Sequence, residues 1–237
     1  MNKTSEPPSF SQFGEDRLIW KYFGEKNDGF FVEVGANEPE NLSQTFLLER
    51  KGWRGILVEP QSACCEKLRH IRPQAQVFQV ACGAPDQRGK ARFQIHENNA
   101  LSKLSRNLPA SPEAKYEEVQ IVTLDDILNQ AQNPRIDFLS IDVEGLELQV
   151  LQGFNLAKHQ PKLLLIEDNI SERLKVHRFL KKNGYRLVKR TGCNNWYVPQ
   201  GQPFNLSTAW EQIMLFRKMY LGTAFRKLQG ILTGRKN

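Results

Sequence analysis

One stretch of the sequence restricts the fold more than any other: the apolar run at residues 30–37, which ends in a glycine turn. Its valines and phenylalanines favour a buried strand, and Gly35 breaks that strand because glycine adopts positive φ angles freely. Apolar residues then recur at helical spacing over residues 42–49. A strand, a glycine turn and a helix make half of a βαβ unit, whose ligands bind at the carboxyl end of the strand. The alternative interpretation is that Gly35 only closes the turn between the strand and the helix.

A second predicted strand, at residues 56–60, repeats this pattern, with Glu59 at its carboxyl end. Pro60 favours the start of a helix, which carries the chain to Ile71. An acidic residue after the second strand of such a unit is placed to accept hydrogen bonds from both ribose hydroxyls of an adenosine ligand. The alternative is that the Glu59 carboxylate caps the helix that follows it.

Length and cysteine content limit the number of domains and the compartment. With 237 residues, of which 40% are hydrophobic, the chain can bury one good core. We therefore predict an α/β domain over residues 1–200, with an N-terminal helical segment at residues 9–29, and an appendage at residues 201–237. The four cysteines form no CxxC pair and are too few for a disulfide framework, which favours a reduced, cytoplasmic location. Neither a secretory signal nor a membrane span is indicated.

The positive charge is concentrated in the appendage. Of the formal net charge of +7, the residues from Gly201 onward carry +5, from six Lys and Arg against Glu211 alone. This distribution argues against nucleic acid as a partner of the main domain. Apolar residues recur at helical intervals among these basic residues, so residues 203–237 are expected to be a basic amphipathic helical tail. We expect it to contact an anionic inner membrane surface. The alternative is packing on its own domain or on a second subunit of a homo-oligomer.

Two later apolar strands end in clusters of acidic residues. Asp142 and Glu144 follow the strand at residues 136–141, and alternation along a strand points them the same way. Glu167 and Asn169 close the strand at residues 161–169, share a side, and have Asp168 between them. Clustered carboxylates raise one another's pKa unless a cation or a proton lies among them. They can bind a divalent ion, act as a general base or hydrogen-bond substrate hydroxyls, and some of them can instead cap helices.

The remaining strands complete an α/β sheet. Residues 76–81 are expected to form a third parallel strand, leading to Ala81 and Cys82. The alternating residues 91–96 are expected to be an antiparallel addition to the main sheet, and the run 119–124 is expected to form a further antiparallel strand. The polar loop 97–118 suits a lid or substrate loop. Residues 185–190 and 195–199 are predicted to form a late antiparallel hairpin.

Six segments together resemble the FkbM-type methyltransferases, which depend on S-adenosylmethionine. The resemblance runs from Ser11 to Pro199, and its motifs are residues 11–16 (SQFGED), 32–37 (VEVGAN), 55–60 (GILVEP), 140–147 (SIDVEGLE), 150–153 (VLQG) and 166–169 (IEDN). It implies a class I, Rossmann-like α/β fold with a mostly parallel sheet and a C-terminal antiparallel hairpin. The activity it implies is methyl transfer to a hydroxyl of a sugar, glycolipid, polysaccharide or natural product (EC 2.1.1.-).

The same resemblance assigns roles to the residues at the strand ends. Glu33, Gly35 and Asn37 would surround the methionine part of the cofactor, and Glu59 would bind its ribose. The full set of expected cofactor-binding residues is Gln12, Glu33, Gly35, Asn37, Glu59, Pro60, Ala81, Cys82 and Asp142. The expected catalytic residues are Asp142, Glu144, Glu167 and Asn169.

A metal ion is a further expectation. Asp142, Asp168 and Asn169 are similar to the Mg²⁺ ligands of catechol-type O-methyltransferases, which have acids after the fourth strand and an Asp-Asn pair after the fifth. Strand phase favours Glu167 and Asn169 over Asp168 as residues that face the site. The sequence leaves this choice open.

Three other functions compete with O-methylation. A nucleotide-dependent dehydrogenase needs GxGxxG after the first strand, but the turn at residues 35–39 has one glycine. An RNA methyltransferase fits the basic pI, yet the sequence contains neither an Asn/Asp-Pro-Pro-aromatic tetrapeptide nor a cysteine that follows a proline. A methyltransferase fold that binds ligands without catalysis is the third alternative.

Overall fold

A computed structural model describes residues 6–95, 103–105, 115–169, 171–217 and 219. Most of the expected lid at residues 97–118 and most of the tail lie outside these described residues. In chain order the elements are α1 (Glu15–Tyr22), β1 (Phe30–Val34), α2 (Phe46–Arg50), β2 (Arg54–Val58), α3 (Ser62–Ile71), β3 (Ala75–Phe78), β4 (Ala81–Cys82), a 3-10 turn (Pro85–Gln87), β5 (Gly89–Ile95), β6 (Lys103–Ser105), β7 (Lys115–Val122), α4 (Leu124–Gln130), β8 (Phe138–Ile141), α5 (Glu147–Gln152), α6 (Leu156–His159), β9 (Leu163–Glu167), α7 (Arg173–Lys182), β10 (Tyr185–Thr191), β11 (Asn194–Pro199) and α8 (Ala209–Phe216).

Seven strands form the main sheet in the order β10-β11-β9-β8-β1-β2-β3. The five strands from β9 to β3 pair in parallel, whereas β11 is antiparallel to both β9 and β10. The chain begins in the middle of the sheet at β1, builds one half outward to β3, and then returns to β8 beside β1. The direction in which the chain adds strands therefore reverses between β1 and β8. The carboxyl ends of these two strands form a topological switch point, where ligands of such sheets bind. The expected class I methyltransferase fold is confirmed.

Helices cover both faces of this sheet because side chains alternate along every strand. On one face Val32, Val34 and their neighbours pack against α4, α5 and α7. On the other face Phe31, Leu57 and Phe138 pack against α1, α2 and α3, with Trp53 fully buried among them. The two cores hold the central strands on both sides, so the strand ends form a rigid edge.

Strands β5 and β7 lie in a second sheet that is separate from the main one. Its order is β4-β7-β5-β6, with β5 antiparallel to β7 and to β6, and it has a small core of its own around Phe93 and Ile121. The expectation that residues 91–96 join the main sheet is wrong, whereas most of the run 119–124 lies in β7, which pairs antiparallel with β5. The alternating pattern identifies a half-exposed strand but carries no information about which sheet it joins.

Two helix starts also differ from expectation. Leu42 has a φ of +63°, so the helix predicted from residue 42 begins at Phe46 instead. Pro60 precedes α3, which begins at Ser62 with Gln61 as its N-cap.

The first described part of the tail packs on the edge of the main sheet. Helix α8 contacts β10, and its first turn is closed by reciprocal hydrogen bonds between Thr208 and Glu211. Within the described parts of the chain, none of the helices has both the length and the apolar character needed to cross a membrane.

Candidate functional site

A cavity of about 340 Å³ opens at the carboxyl ends of β1, β2, β8 and β9. Its volume lies within the range of small-molecule sites. The nine residues expected to bind the cofactor all line it, together with three of the four expected catalytic residues; these are Gln12, Glu33, Gly35, Asn37, Glu59, Pro60, Ala81, Cys82, Asp142, Glu144 and Glu167. The structure therefore brings together residues that span 155 positions of the sequence between Gln12 and Glu167.

Gly35 lets the ends of β1 and β8 approach each other. Its φ is +87°, and a Cβ at this position would lie 1.8 Å from the carbonyl oxygen of Asp142. The Gly35 and Ala36 amides both donate to the carbonyl of Val58, at 2.9 and 3.1 Å. The turn is thus closed against β8 and β2 together, and only a residue without a side chain fits there.

Glu59 lies in the wall formed by the end of β2. Its two carboxylate oxygens accept hydrogen bonds from the backbone amides of Asn37, at 2.9 Å, and Gln61, at 2.8 Å. Burial raises the pKa of Glu59 to about 7, although these two hydrogen bonds favour the ionised form. Each carboxylate oxygen has a second lone pair, so the group can accept two further hydrogen bonds from a ligand.

The carboxylate of Glu33 is occupied by the loop that leads into α2. It accepts hydrogen bonds from the Thr45 hydroxyl at 2.5 Å, the Gln44 amide at 3.0 Å and the Ser43 hydroxyl at 3.5 Å. Burial raises the pKa of Glu33, and the nearby Arg72 guanidinium opposes that shift. Glu33 lines the cavity, but these contacts make it a fixed support for the loop at residues 41–45.

Three carboxylates converge at the other end of the cavity. Oxygens of Asp142, Glu144 and Glu167 lie within 4.8 Å of one another. Burial and the charges of Glu167 and Glu144 raise the pKa of Asp142 well above its usual value. Burial, followed by the charges of Glu144 and Glu147, raises the pKa of Glu167 to about 7, while a hydrogen bond with Asp142 lowers it. Like charges this close oppose full ionisation of the cluster, so the coupled Asp142–Glu167 pair favours sharing a proton.

The turn that carries Glu144 is held by a residue that sequence reasoning missed. Glu144 and Gly145 have φ angles of +54° and +100°, and the buried Glu147 accepts the Gly145 amide at 2.8 Å and the Val143 amide at 3.4 Å. Its other oxygen, Oε2, is buried without a hydrogen-bond partner. Burial raises the pKa of Glu147. The signal in the sequence is its place in the first turn of a helix, where a carboxylate can accept the free amides.

Asp168 does not join this cluster. Its buried carboxylate accepts hydrogen bonds from Arg173, at 2.6 Å from Nε, and from Arg190. Burial acts to raise the pKa of Asp168, but the hydrogen bonds from the two guanidinium groups outweigh burial and hold it below its usual range. The metal-ligand set predicted from Asp142, Asp168 and Asn169 is therefore not the set that converges.

Asn169 also lies away from the cavity wall. Its side-chain oxygen accepts hydrogen bonds from the Ser171 hydroxyl, at 2.8 Å, and from the Ser171 backbone amide, at 3.2 Å. The side-chain nitrogen Nδ2 of Asn169 faces Gly145, and a Cβ on Gly145 would lie 2.9 Å from this nitrogen. Asn169 thus packs beneath the turn that carries Glu144, and it is not among the residues that line the cavity.

The N-terminal segment supplies one further wall. Glu15 is fully buried and accepts hydrogen bonds from the Thr191 hydroxyl at 3.0 Å and the Asn194 side-chain amide at 2.9 Å. It also accepts the Phe13 amide at 2.9 Å. These contacts fasten the segment to the tip of the β10–β11 hairpin, so Gln12 and Cys193 lie side by side at the cavity rim.

The family model described as the methyltransferase FkbM domain matches residues 33–187. The match covers more than half of the sequence. The chain belongs to the FkbM methyltransferase family. The resemblance found in the sequence motifs is confirmed. Two of the residues that line the cavity of this FkbM-family chain, Gln12 and Cys193, lie outside the matched region.

Three solved structures are similar to this FkbM-family chain at low identity. A methyltransferase FkbM from Methylobacillus flagellatus KT is 17% identical, with a TM-score of 0.49 over 73% of this chain and 44% of that one. TrmK from M. capricolum with S-adenosyl-homocysteine is 10% identical, with a TM-score of 0.47 over 94% and 87%. An O-methyltransferase from Bacillus cereus with the same ligand is 11% identical, with a TM-score of 0.46 over 81% and 84%.

This chain therefore spans less than half of the Methylobacillus protein's length. None of the curated proteins matches the sequence.

Proposed function

We propose that this protein is an S-adenosylmethionine-dependent O-methyltransferase that acts on a hydroxyl of a sugar, glycolipid, polysaccharide or natural product. The observation that carries the proposal is a single cavity with two different acidic ends. One end presents the Glu59 carboxylate, and the other presents the hydrogen-bonded pair of Asp142 and Glu167. Such a cavity suits a ligand with a hydroxyl-bearing ribose at one end and a reacting centre at the other.

The residues that line the cavity fit S-adenosylmethionine. Glu59 is oriented by two backbone amides and keeps acceptor capacity for two ribose hydroxyls. The backbone at Gly35 and Ala36 forms the floor without a bulky side chain, and Ala81 and Cys82 form an apolar wall next to it. The negatively polarised end at Asp142, Glu144 and Glu167 complements a positively charged sulfur.

Glu167 is the residue best placed to accept a proton from the acceptor hydroxyl. When bound, S-adenosylmethionine supplies a methyl group on a positively charged sulfur, and transfer of that methyl to oxygen leaves a neutral thioether. An alcohol is a weak nucleophile unless its proton is removed during the attack. The Glu167 carboxylate, with a pKa of about 7, can take that proton near neutral pH and release it to water afterwards. The alcohol loses its proton to Glu167 while its oxygen forms the new bond to carbon.

Asp142 holds Glu167 in place for this step. Both side chains are half-buried, and the shared proton joins Asp142 to the Glu167 carboxylate. This hydrogen bond fixes the direction of the carboxylate and leaves its other lone pairs for the acceptor. Glu144, on its strained turn, adds negative charge that keeps the proton on the pair.

A Mg²⁺ ion is a competing occupant of the carboxylate cluster. The oxygens of Asp142, Glu144 and Glu167 are hard ligands of the kind Mg²⁺ prefers, and they lie close enough to share one ion. Asp168, a member of the ligand set predicted from the sequence, is already neutralised by two arginines. The arrangement therefore favours a shared proton, and the proposed reaction uses no metal.

The test separates cofactor binding from turnover. Calorimetry measures the affinity for S-adenosylmethionine, and transfer of a labelled methyl group to a panel of sugars, glycolipids and polyols measures activity. We expect Glu167→Gln to retain affinity within about threefold and to lose about 10²–10⁴ in turnover, the usual contribution of a general base. Glu59→Ala is expected to weaken cofactor binding. Glu66→Gln, on the exposed side of α3, is the matched control and should change neither quantity.

Two results would contradict the proposal. The wild-type chain could bind no S-adenosylmethionine, or Glu167→Gln could methylate as fast as wild type. Adding a chelator tests the metal directly: loss of turnover that Mg²⁺ restores would replace the shared proton with a bound ion.

A further inference from the structure

Helix α8 turns its more apolar face away from the protein. Trp210, Ile213 and Met214 are 66%, 52% and 43% exposed, although they are large apolar side chains. They are spaced three and four residues apart and therefore share one face of the helix. Leu215, on the opposite face, is buried. A surface helix of a soluble domain normally shows the reverse pattern, so this face is suited to contact with another apolar surface.

Side-chain contacts hold α8 in a defined position. The register of the β10–β11 ladder shifts at Val188, and the Val188 carbonyl accepts hydrogen bonds from the Ser207 hydroxyl at 2.8 Å and from Gln212. Lys189 donates to the Leu206 carbonyl at 3.0 Å and forms an ion pair with Glu211 at 2.9 Å. The helix covers the open edge of the sheet, and its outward face is thereby presented in a fixed orientation.

Positive charge accompanies this apolar face. Arg217 is exposed one turn after Ile213 and Met214, and the sequence continues with Lys218, Arg226 and Lys227. The one acidic residue from Gly201 onward, Glu211, is already paired with Lys189. Large exposed apolar side chains next to an exposed arginine, in a segment whose sequence carries a net positive charge, are the composition that binds the interface of an anionic bilayer.

We propose that α8 is the docking surface of this protein for an anionic lipid membrane. Trp210, Ile213 and Met214 enter the boundary between headgroups and acyl chains, where tryptophan is favoured. Arg217 contacts the lipid phosphates, and each basic residue near such a surface strengthens binding by about fivefold. This inference is independent of the proposed reaction, because none of these residues lines the cavity.

A second copy of the chain fits this face less well than a membrane does. An eight-residue helix is about 12 Å long, whereas a stable dimer buries about 800 Å² on each partner. Two copies meeting through α8 would each bring an exposed Arg217 to the contact, and like charges would oppose it.

The experiment measures co-sedimentation of the full chain with vesicles. One set of vesicles is phosphatidylcholine alone, and the other contains phosphatidylglycerol as well. The test variant is Trp210→Ser with Ile213→Ser, and the matched control is Ile71→Ser, which removes an apolar side chain that is 38% exposed on α3. Melting temperatures of all three proteins show whether they fold. Analytical ultracentrifugation without lipid gives the oligomeric state.

We expect wild type and Ile71→Ser to bind the anionic vesicles equally and the double variant to bind at least about tenfold more weakly. Added salt should weaken the binding of wild type, and neutral vesicles should bind little of it. The proposal is overturned if wild type does not bind anionic vesicles, if it binds neutral vesicles equally well, or if the double variant binds like wild type. A wild-type dimer that the double variant converts to a monomer would assign the face to a second copy instead. If the double variant does not fold, Arg217→Glu replaces it, and anionic binding equal to that of wild type would overturn the proposal.

Discussion

Replacing Asp168 with asparagine tests whether this residue is a buried structural anion or a metal ligand. The substitution keeps the size of the side chain and one acceptor oxygen but removes the negative charge. Arg173 and Arg190, whose side chains are 7% and 14% exposed, then lose the carboxylate that both of them contact. Because neither guanidinium group reaches bulk water freely, the variant is left with positive charge that is not compensated.

The magnitude follows from the burial of all three groups. Removing one partner of a buried ion pair typically costs about 3–5 kcal/mol in the free energy of unfolding. For a chain of this size each kcal/mol lowers the melting temperature by about 2–4 °C, so we expect a decrease of about 6–20 °C. Asp168 also follows Glu167 directly, and its amide donates to the Cys193 carbonyl at 2.7 Å. Turnover should therefore fall as well.

Urea denaturation and differential scanning calorimetry measure this change. Glu118→Gln is the control, because it removes a carboxylate from an ion pair with Lys90 that is largely exposed, and no measurable shift is expected. An Asp168→Asn protein whose unfolding free energy lies within about 1 kcal/mol of wild type would refute the reasoning. A normal melting temperature together with lost Mg²⁺-dependent activity would restore Asp168 as a ligand.

Three further predictions follow from the site. Gly35→Ala should abolish cofactor binding and should destabilise the fold more than the control Gly201→Ala does. Both glycines have positive φ, but a Cβ at Gly35 would also clash with the Asp142 carbonyl. Calorimetry and urea unfolding compare the two variants, and equal effects would contradict the close approach of Gly35 to Asp142. Turnover should rise as pH passes through about 7, where Glu167 loses its proton, and a rate that is flat between pH 6 and pH 8 would argue against a base with this pKa. Because the pKa of Glu59 is raised in the folded chain, Glu59 binds a proton there between its ordinary pKa and about pH 7, whereas it is ionised in the unfolded chain. The stabilisation that this proton provides is lost as pH rises through that range. The urea midpoint should therefore fall less steeply with pH in Glu59→Gln than in wild type, and identical slopes would count against the pKa shift.

The central strands could be predicted from the sequence because each is a continuous apolar run, as buried parallel strands are. The runs that end at Val34, Val58 and Ile141 all lie in the main sheet, at the edge where the cavity opens. The separation of the second sheet could not be predicted, since periodicity reports which faces of a strand are buried and not which strand lies beside it.

The candidate site was predictable as far as strand alternation extends. Strand β9 ends at Glu167. Alternation therefore still predicts correctly that Glu167 faces the cavity and Asp168 faces away from it. Alternation does not apply to Asn169, which lies two residues beyond the end of the strand. Glu144 joins Asp142 through a turn with positive φ, which alternation does not describe. The two arginines that neutralise Asp168 come from α7 and β10, and only the folded chain brings them there.

The wall made by Gln12 and Cys193 has a consequence for the order of events during synthesis. These residues are 181 positions apart, and the Glu15 contacts that join them need the hairpin at the end of the domain. A nascent chain on the ribosome therefore completes this wall only when nearly the whole domain has emerged from the exit tunnel. We expect the cofactor to bind only the finished domain, too late to guide its folding.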